Sequence, residues 1–286
     1  MPQAALKDLS SALAGAVTAA SPSVVAVARG HGSGTGIVWA PDLVISASFH
    51  TPDRTTVGIP GPDGELERRD AEVIGRDPGT DVAVLRVAGG GLTPARFREL
   101  DGLGVGNLAL AVGRPGRTAR ASLRAIGVLG PEVETRWGGK LDRYVESDRQ
   151  IPRGFAGGPL VDEAGAVIGM NTRTLLRGAD IAVPTITLRR VVDELVAHGG
   201  IRRGYLGVGA YPADGGAIIA SVDAQGPAAT AGVIVGDIVL EIAGDAIDGP
   251  DALRAAIGDK PGQTVDVILS RGGVRQTVPV TLGSKA

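Results

Sequence analysis

Gly154-Phe155-Ala156-Gly157-Gly158-Pro159-Leu160 is the stretch that decides the fold. Three glycines and a proline in seven residues suit neither a regular helix nor a regular strand. They suit a tight turn that holds backbone N–H groups exposed toward one point. Apolar Leu160-Val161 and Val167-Ile168-Gly169-Met170 follow. Asp162-Glu163-Ala164-Gly165 between them reads as a hairpin turn. A glycine loop between buried strands is one way to build an oxyanion hole. The plainer alternative is a glycine-rich hairpin with no chemistry, and the surrounding motifs weigh against it.

The composition narrows the possibilities. At 286 residues the chain is long enough for two domains, and 43% hydrophobic residues permit a sizeable core. Forty-five glycines, eighteen prolines and only 3% aromatics favour many short strands joined by tight turns. A net charge of −2 makes no electrostatic case for nucleic acid or an anionic membrane. Cysteine is absent, which excludes disulfides, thiol chemistry and cysteine–zinc sites. His31, His50 and His198 are scattered and form no metal pattern, so neither metal nor cofactor is expected. No apolar run reaches membrane-spanning length, and Met1–Ala20 is not read as a secretory signal. The compartment stays open: periplasm or cell envelope if a signal or anchor was removed, cytoplasm otherwise.

Leu6 to Ala19 reads as one helix with Leu6, Leu9, Leu13 and Val17 on a narrow face. That face is expected to dock on the body or on another subunit. Strands follow at Val24–Ala28, Ile37–Trp39 and Leu43–Ala47, the last leading to Ser48-Phe49-His50. A further hairpin spans Val57–Ile59 and Ala71–Ile74, and Gly75-Arg76-Asp77-Pro78-Gly79-Thr80-Asp81-Val82-Ala83-Val84-Leu85 comes next. Val105–Pro115, Ser122–Leu129 and Tyr144–Ser147 continue the pattern. Ile181–Pro184 and a helix Thr187–His198 close it, with His198 suiting a helix C-terminus rather than catalysis.

The glycine loop resembles the nucleophile loop of trypsin-like serine proteases, Gly-Asn-Ser-Gly-Gly-Pro-Leu. Ala156 stands at the serine position and Phe155 at the asparagine position. Ser46-Ala47-Ser48-Phe49 resembles the Thr-Asn-Ala-His tetrapeptide of the HtrA branch, which puts Phe49 on the histidine position and His50 one residue late. One residue would turn a strand side chain to the opposite face, or rotate it about 100° on a helical turn. His50 is therefore a poor base without a remodelled loop. Asp77 to Leu85 is similar to Asp-Pro-x-Thr-Asp-Leu-Ala-Val-Leu, whose second aspartate, the triad acid, is Asp81 here. With Phe49 in the histidine's place, Asp81 is expected to be a structural, hydrogen-bonded carboxylate. Residues 150–154 would shape the first specificity pocket, and the backbone amides of Gly154 and Ala156 would survive as an anion-binding nest. Two of the three Phe residues sit in these motifs, so Phe49 and Phe155 are expected to fill the former cleft with apolar volume.

Gly204 to about Leu282 resembles a bacterial PDZ domain. Gly204-Tyr205-Leu206-Gly207-Val208 is similar to its carboxylate-binding loop, and Gly236-Asp237-Ile238 to its Gly-Asp-x-Ile motif. Asp251–Ile257 would be the groove helix. The resemblance implies an extended C-terminus added as a strand, with Tyr205, Leu206, Gly207, Val208, Leu253 and Ile257 around it.

The expected architecture is mainly β: an N-terminal helix (1–20), a trypsin-like double six-stranded β-barrel (21–198), a linker (199–203) and an α+β PDZ domain (204–286). Two functions follow. One is an HtrA-like pseudoprotease that binds peptides or protein C-termini, as a scaffold or beside an active relative. The other is a serine endopeptidase carrying alanine for its nucleophile, with His50 as a displaced base. HtrA relatives are commonly trimers built through N-terminal segments, which implies a homo-oligomer.

Overall fold

The computed structural model describes residues 2–29, 32–61 and 63–285; side chains at 2, 3, 29 and 50 lie outside that description. The chain divides into two compact units. The first comprises residues 1–135 and 140–200, the second Arg136–Gly139 and Ile201–Ala286.

The first unit opens with α1 (Pro2–Ala20), followed by two antiparallel six-stranded barrels. The first barrel closes in the order β1 (Val24–Arg29), β2 (Gly32–Ala40), β3 (Leu43–Ala47), β6 (Val82–Val87), β5 (Leu66–Asp77), β4 (Arg54–Pro60). β3 is buried along its whole length, as its unbroken apolar run requires. The strand read from sequence at Ile37–Trp39 begins earlier, taking in the glycine-rich residues from Gly32. A Cβ on Gly36 would lie 2.6 Å from Val44 Cγ1 and 3.0 Å from Val27 Cγ2. Glycine is what lets β1 and β3 close on β2 there.

The second barrel uses β7 (Leu108–Gly113), β8 (Arg120–Gly130), β11 (Tyr144–Ser147), β12 (Pro159–Val161), β13 (Val167–Thr172) and β14 (Ile181–Pro184). A short hairpin, β9 (Val133–Glu134) and β10 (Lys140–Leu141), lies between β8 and β11. The Asp162–Gly165 turn joins β12 to β13 as the sequence implies, its Asp162 carboxylate accepting the amides of Ala164 and Ala166. Helix α2 (Thr185–His198) packs Leu195 so close to β5 that a Cβ at Gly75 would meet the Leu195 carbonyl at 2.7 Å. Gly199, at φ +75°, ends the helix.

The second unit carries a sheet in the order β16 (Val208–Ala213), β17 (Gly216–Val222), β18 (Ile238–Ile242), β20 (Thr264–Arg271), β21 (Val274–Thr281), with β19 (Asp245–Ala246) paired to β18. β15 (Arg203–Tyr205) pairs with β22 (Gly283–Lys285). Helices α3 (Pro227–Thr230) and α4 (Pro250–Gly258) complete it. Its core gathers Leu206, Ile219, Val239, Ile242, Leu253, Ile257, Val267 and Leu269.

Candidate functional site

The loop at 154–160 is shaped by its glycines. Gly154 has φ +82°, and Phe155 N–H donates to the Pro152 carbonyl at 3.1 Å, closing a turn. Gly157, at φ +84°, leaves no room for a side chain: a Cβ would fall 2.4 Å from the Thr35 carbonyl and 2.7 Å from Ala47 N. Its amide donates to Asn171 O, and Asn171 Nδ2 donates to the Gly158 and Pro159 carbonyls. The loop is thus held by β13 of its own barrel and wedged against β2 and β3 of the other. Among the described residues the Gly154 amide has no hydrogen-bond partner.

Thr35 is the hub that the sequence did not single out. It is fully buried, its Oγ1 donates to Gly154 O at 2.6 Å, and the same atom accepts Arg114 N–H at 2.8 Å. Ser46 Oγ donates to the Thr35 carbonyl. Arg114 in turn donates its guanidinium to the carbonyls of Val24, Arg117 and Ser21. Burial pushes that guanidinium below the ordinary arginine value. A polar residue inside a buried glycine-rich strand was the available signal.

Phe49 lies on a single turn of 3-10 helix, Ser48–His50, after β3. Arg76 fixes this turn, donating to the carbonyls of Ser48 and Thr51 at 2.7 and 2.8 Å. Asp81 is 1% exposed and takes φ +56°, a conformation aspartate tolerates better than most residues. Its Oδ1 accepts Phe49 N–H at 3.0 Å. Its Oδ2 accepts the hydroxyls of Thr172 at 2.6 Å and Thr174 at 3.0 Å. Positions 49 and 81 are brought together, through the backbone amide of one and the carboxylate of the other.

Two expectations are corrected here. Phe155 does not fill a cleft: its ring is 4% exposed and packs in the second barrel core with Ile126, Val145, Ile151, Leu160 and Ile168. Space for it exists because β7 has Gly113, where a Cβ would sit 2.6 Å from the ring. Phe49 is not buried in the same way: the residue is 36% exposed. The side chain of His50, and with it the displaced-base reading, lies outside the described residues, as does His31. Ala156 is buried in the loop. Among the described residues no group of acidic residues and histidines is arranged to hold a metal ion.

In the second unit, Tyr205, Leu206, Gly207, Val208, Leu253 and Ile257 all line one cavity of about 260 Å³. Gly207 is at φ +81°. Leu206, Leu253 and Ile257 also belong to the core, so the same side chains support the floor and the fold. Trp137 and Gly138, which pack with this unit, line the cavity too. The Arg136 guanidinium stacks 4.5 Å over the Trp137 ring, and Arg203 donates to the Gly138 carbonyl. Nothing in the local sequence marked Trp137 as part of this site. Tyr205 O–H donates to Asp223 Oδ2 at 2.8 Å, which raises the tyrosine's pKa and lowers the aspartate's.

Residues 34–170 match the trypsin-like peptidase domain and residues 204–282 the PDZ domain. This is a trypsin-like domain followed by one PDZ domain, an arrangement of HtrA type. A probable periplasmic serine endoprotease DegP-like from Halomonas elongata is 31% identical over 279 residues, 90% of this chain and 58% of the relative. Periplasmic serine endoprotease DegP of Salmonella typhimurium is 29% identical over 274 residues, 88% of this chain and 56% of the relative. The chain therefore spans a little over half the length of these two curated relatives. The serine endoprotease from Yersinia pestis superposes with a TM-score of 0.71 at 25% identity, covering 96% of this chain and 98% of that one. The HtrA-type protease AlgW with decapeptide shares the fold at 23% identity, TM-score 0.70, covering 96% and 99%. Among the described residues no helix of this HtrA-type chain is long and apolar enough to cross a membrane.

Proposed function

We propose that this chain is a non-catalytic HtrA-type protein that binds polypeptide C-termini through its PDZ groove. One observation carries the reading: residues 49 and 156 are phenylalanine and alanine. Neither side chain can accept a proton or attack a carbonyl. Losing serine or histidine alone from such a triad costs on the order of 10⁶ in rate. That is roughly 8 kcal/mol of barrier. Asp81 then acts as a structural carboxylate, holding the Phe49 turn to the strand that ends at Thr172. The PDZ groove is the remaining binding device, with an apolar floor for a terminal side chain and Gly207 amide geometry for a carboxylate.

The reading predicts two results. Ala156→Ser leaves casein uncleaved and is not labelled by a fluorophosphonate. Hydrolysis or labelling in that single reversion would establish the second reading, an endopeptidase with His50 as base, which the likeness to endoproteases favours. Peptides with an apolar terminal residue and a free carboxylate bind, and their amidated forms bind at least about tenfold more weakly. Equal binding of the two forms would sink the groove assignment. Self-assembly is proposed through α1, whose Leu6 and Leu9 are 68% and 44% exposed. A monomer by sedimentation at micromolar concentration would remove it.

A further inference from the structure

Helix α1 is seated on the barrels by its last turns. Among its residues 4–20 only Ala16 and Ala20 are buried. Ala16 rests on the turn between β12 and β13, where a Cβ at Gly165 would meet the Ala16 carbonyl at 2.5 Å. A single turn of 3-10 helix, Ser21–Ser23, follows. The helix has no basic residue in its own last turn. The positive charge beside its C-terminus comes instead from Arg114, the residue after β7.

Arg114 is 4% exposed. Its Nη2 donates to Ser21 O at 3.1 Å and to Ser21 Oγ at 2.9 Å, its Nε to Val24 O at 2.6 Å and its Nη1 to Arg117 O at 2.9 Å. A guanidinium tolerates burial only while its acceptors are in place. If α1 lifts, Ser21 goes with it, Nη2 loses both partners, and the cation must turn toward water. Its main chain is tied elsewhere. Arg114 N–H donates to Thr35 Oγ1 at 2.8 Å, and that hydroxyl donates to Gly154 O at 2.6 Å. Pro115 packs on the same turn, since a Cβ at Gly154 would fall 2.5 Å from Pro115 Cβ. Ser33 Oγ holds the Pro115 carbonyl at 2.6 Å. Residues 114 and 115 thus touch the exit of α1 through a guanidinium and the Gly154 turn through main chain and ring.

We propose that Arg114 is a positioning residue that makes the shape of the Gly154 turn depend on whether α1 is seated. The two states are α1 down, with Arg114 buried on Ser21, and α1 lifted, with Arg114 turned outward and the turn released. Whatever engages the exposed face of α1 biases this balance, and with it the presentation of the Gly154 amide. The device lies wholly within the first unit. It uses no PDZ residue and does not depend on whether the chain is catalytic, so it is tested apart from both.

The test reads amide hydrogen exchange in the full chain. Ala16→Glu puts a carboxylate into the seat of α1 and is expected to lift the helix, seen as faster exchange over residues 17–23. With it, the amides of Phe155, Gly157 and Gly158 should exchange at least about tenfold faster, while those of β6 stay unchanged. In Arg114→Met the turn is already released, so adding Ala16→Glu should change those three amides by less than about twofold. If Arg114→Met does not fold, Arg114→Lys takes its place with the same expectation, because it keeps the charge and loses the forked donors. A lifted helix with an unchanged Gly154 turn overturns the proposal. So does an undiminished response in the Arg114 variant, or a loss of protection that reaches β6. A helix that stays seated in both Ala16→Glu and Ala20→Glu overturns it as well, because the second state is then out of reach.

Discussion

Thr35 Oγ1 donates to the Gly154 carbonyl at 2.6 Å, joining a strand of the first barrel to the loop of the second. The same hydroxyl accepts Arg114 N–H, so one buried oxygen serves two partners. Thr35→Val would keep the shape and strand both groups. The expected cost is about 2–3 kcal/mol by urea unfolding. Thr35→Ser, which keeps the oxygen, should cost under about 1.5 kcal/mol. Equal costs for the two would show that the hydroxyl is immaterial.

Phe155 and Gly113 form a matched pair. Phe155→Ala should cost about 3–5 kcal/mol by emptying part of the second barrel core. Gly113→Ala places a methyl where the ring lies and should cost about 1–3 kcal/mol. In the double variant the methyl enters vacated space, so the summed single costs should exceed the double by at least about 1 kcal/mol. Strict additivity would mean the ring is not held where the structure has it.

Asp237 ties the PDZ unit to Arg271. Its carboxylate is 1% exposed, accepts Arg271 Nε and Nη2 at 2.8 Å each and takes Ile234 N–H at 2.9 Å. The arginine's hydrogen bonds hold the carboxyl below its ordinary value, against burial, which raises it. A depressed folded value stabilises above the unfolded one and is lost as pH falls through the folded value. The unit should therefore keep this contribution above the ordinary aspartate range at about pH 4 and lose it as the pH falls below that range. In Asp237→Asn that part of the acid sensitivity should vanish, at a cost of about 2–4 kcal/mol near pH 7. An unchanged acid transition in the variant would refute the assignment.

The Phe49 amide reaches Asp81, and the residue is 36% exposed. Phe49→His should accordingly cost under about 1 kcal/mol. Base and nucleophile act as a unit, so neither Phe49→His nor Ala156→Ser alone should react with a fluorophosphonate, whereas the double variant should. Labelling of a single variant would contradict this, and failure of the double would show that the turn at Gly154 cannot stabilise an oxyanion.

Much of this was legible in the sequence because it is local. Alternating and unbroken apolar runs placed the strands, the Asp162–Gly165 turn announced its hairpin, and the glycine motifs placed the loop at 154 and the PDZ entrance at 204–208. The role of the two phenylalanines was not legible. Both lie in loop motifs, but one is buried in the barrel core and the other is partly exposed. That choice depends on the space Gly113 leaves, some forty residues away in sequence. Trp137 escaped for the same reason: its neighbours at the PDZ cavity, Leu253 and Ile257, follow it by more than a hundred residues.

By itself, then, the sequence determined that there are two β-rich units, that their turns fall at the glycines, and that positions 49 and 156 offer no proton acceptor and no nucleophile. These are properties of residue type and spacing. Only the tertiary structure decided that Thr35 carries the junction between barrels, and that Asp81 is held by Thr172, Thr174 and a backbone amide. Those facts arise where distant strands close on one another. Hydrogen bonding and charge burial there depend on separations of about 3 Å that no local pattern encodes.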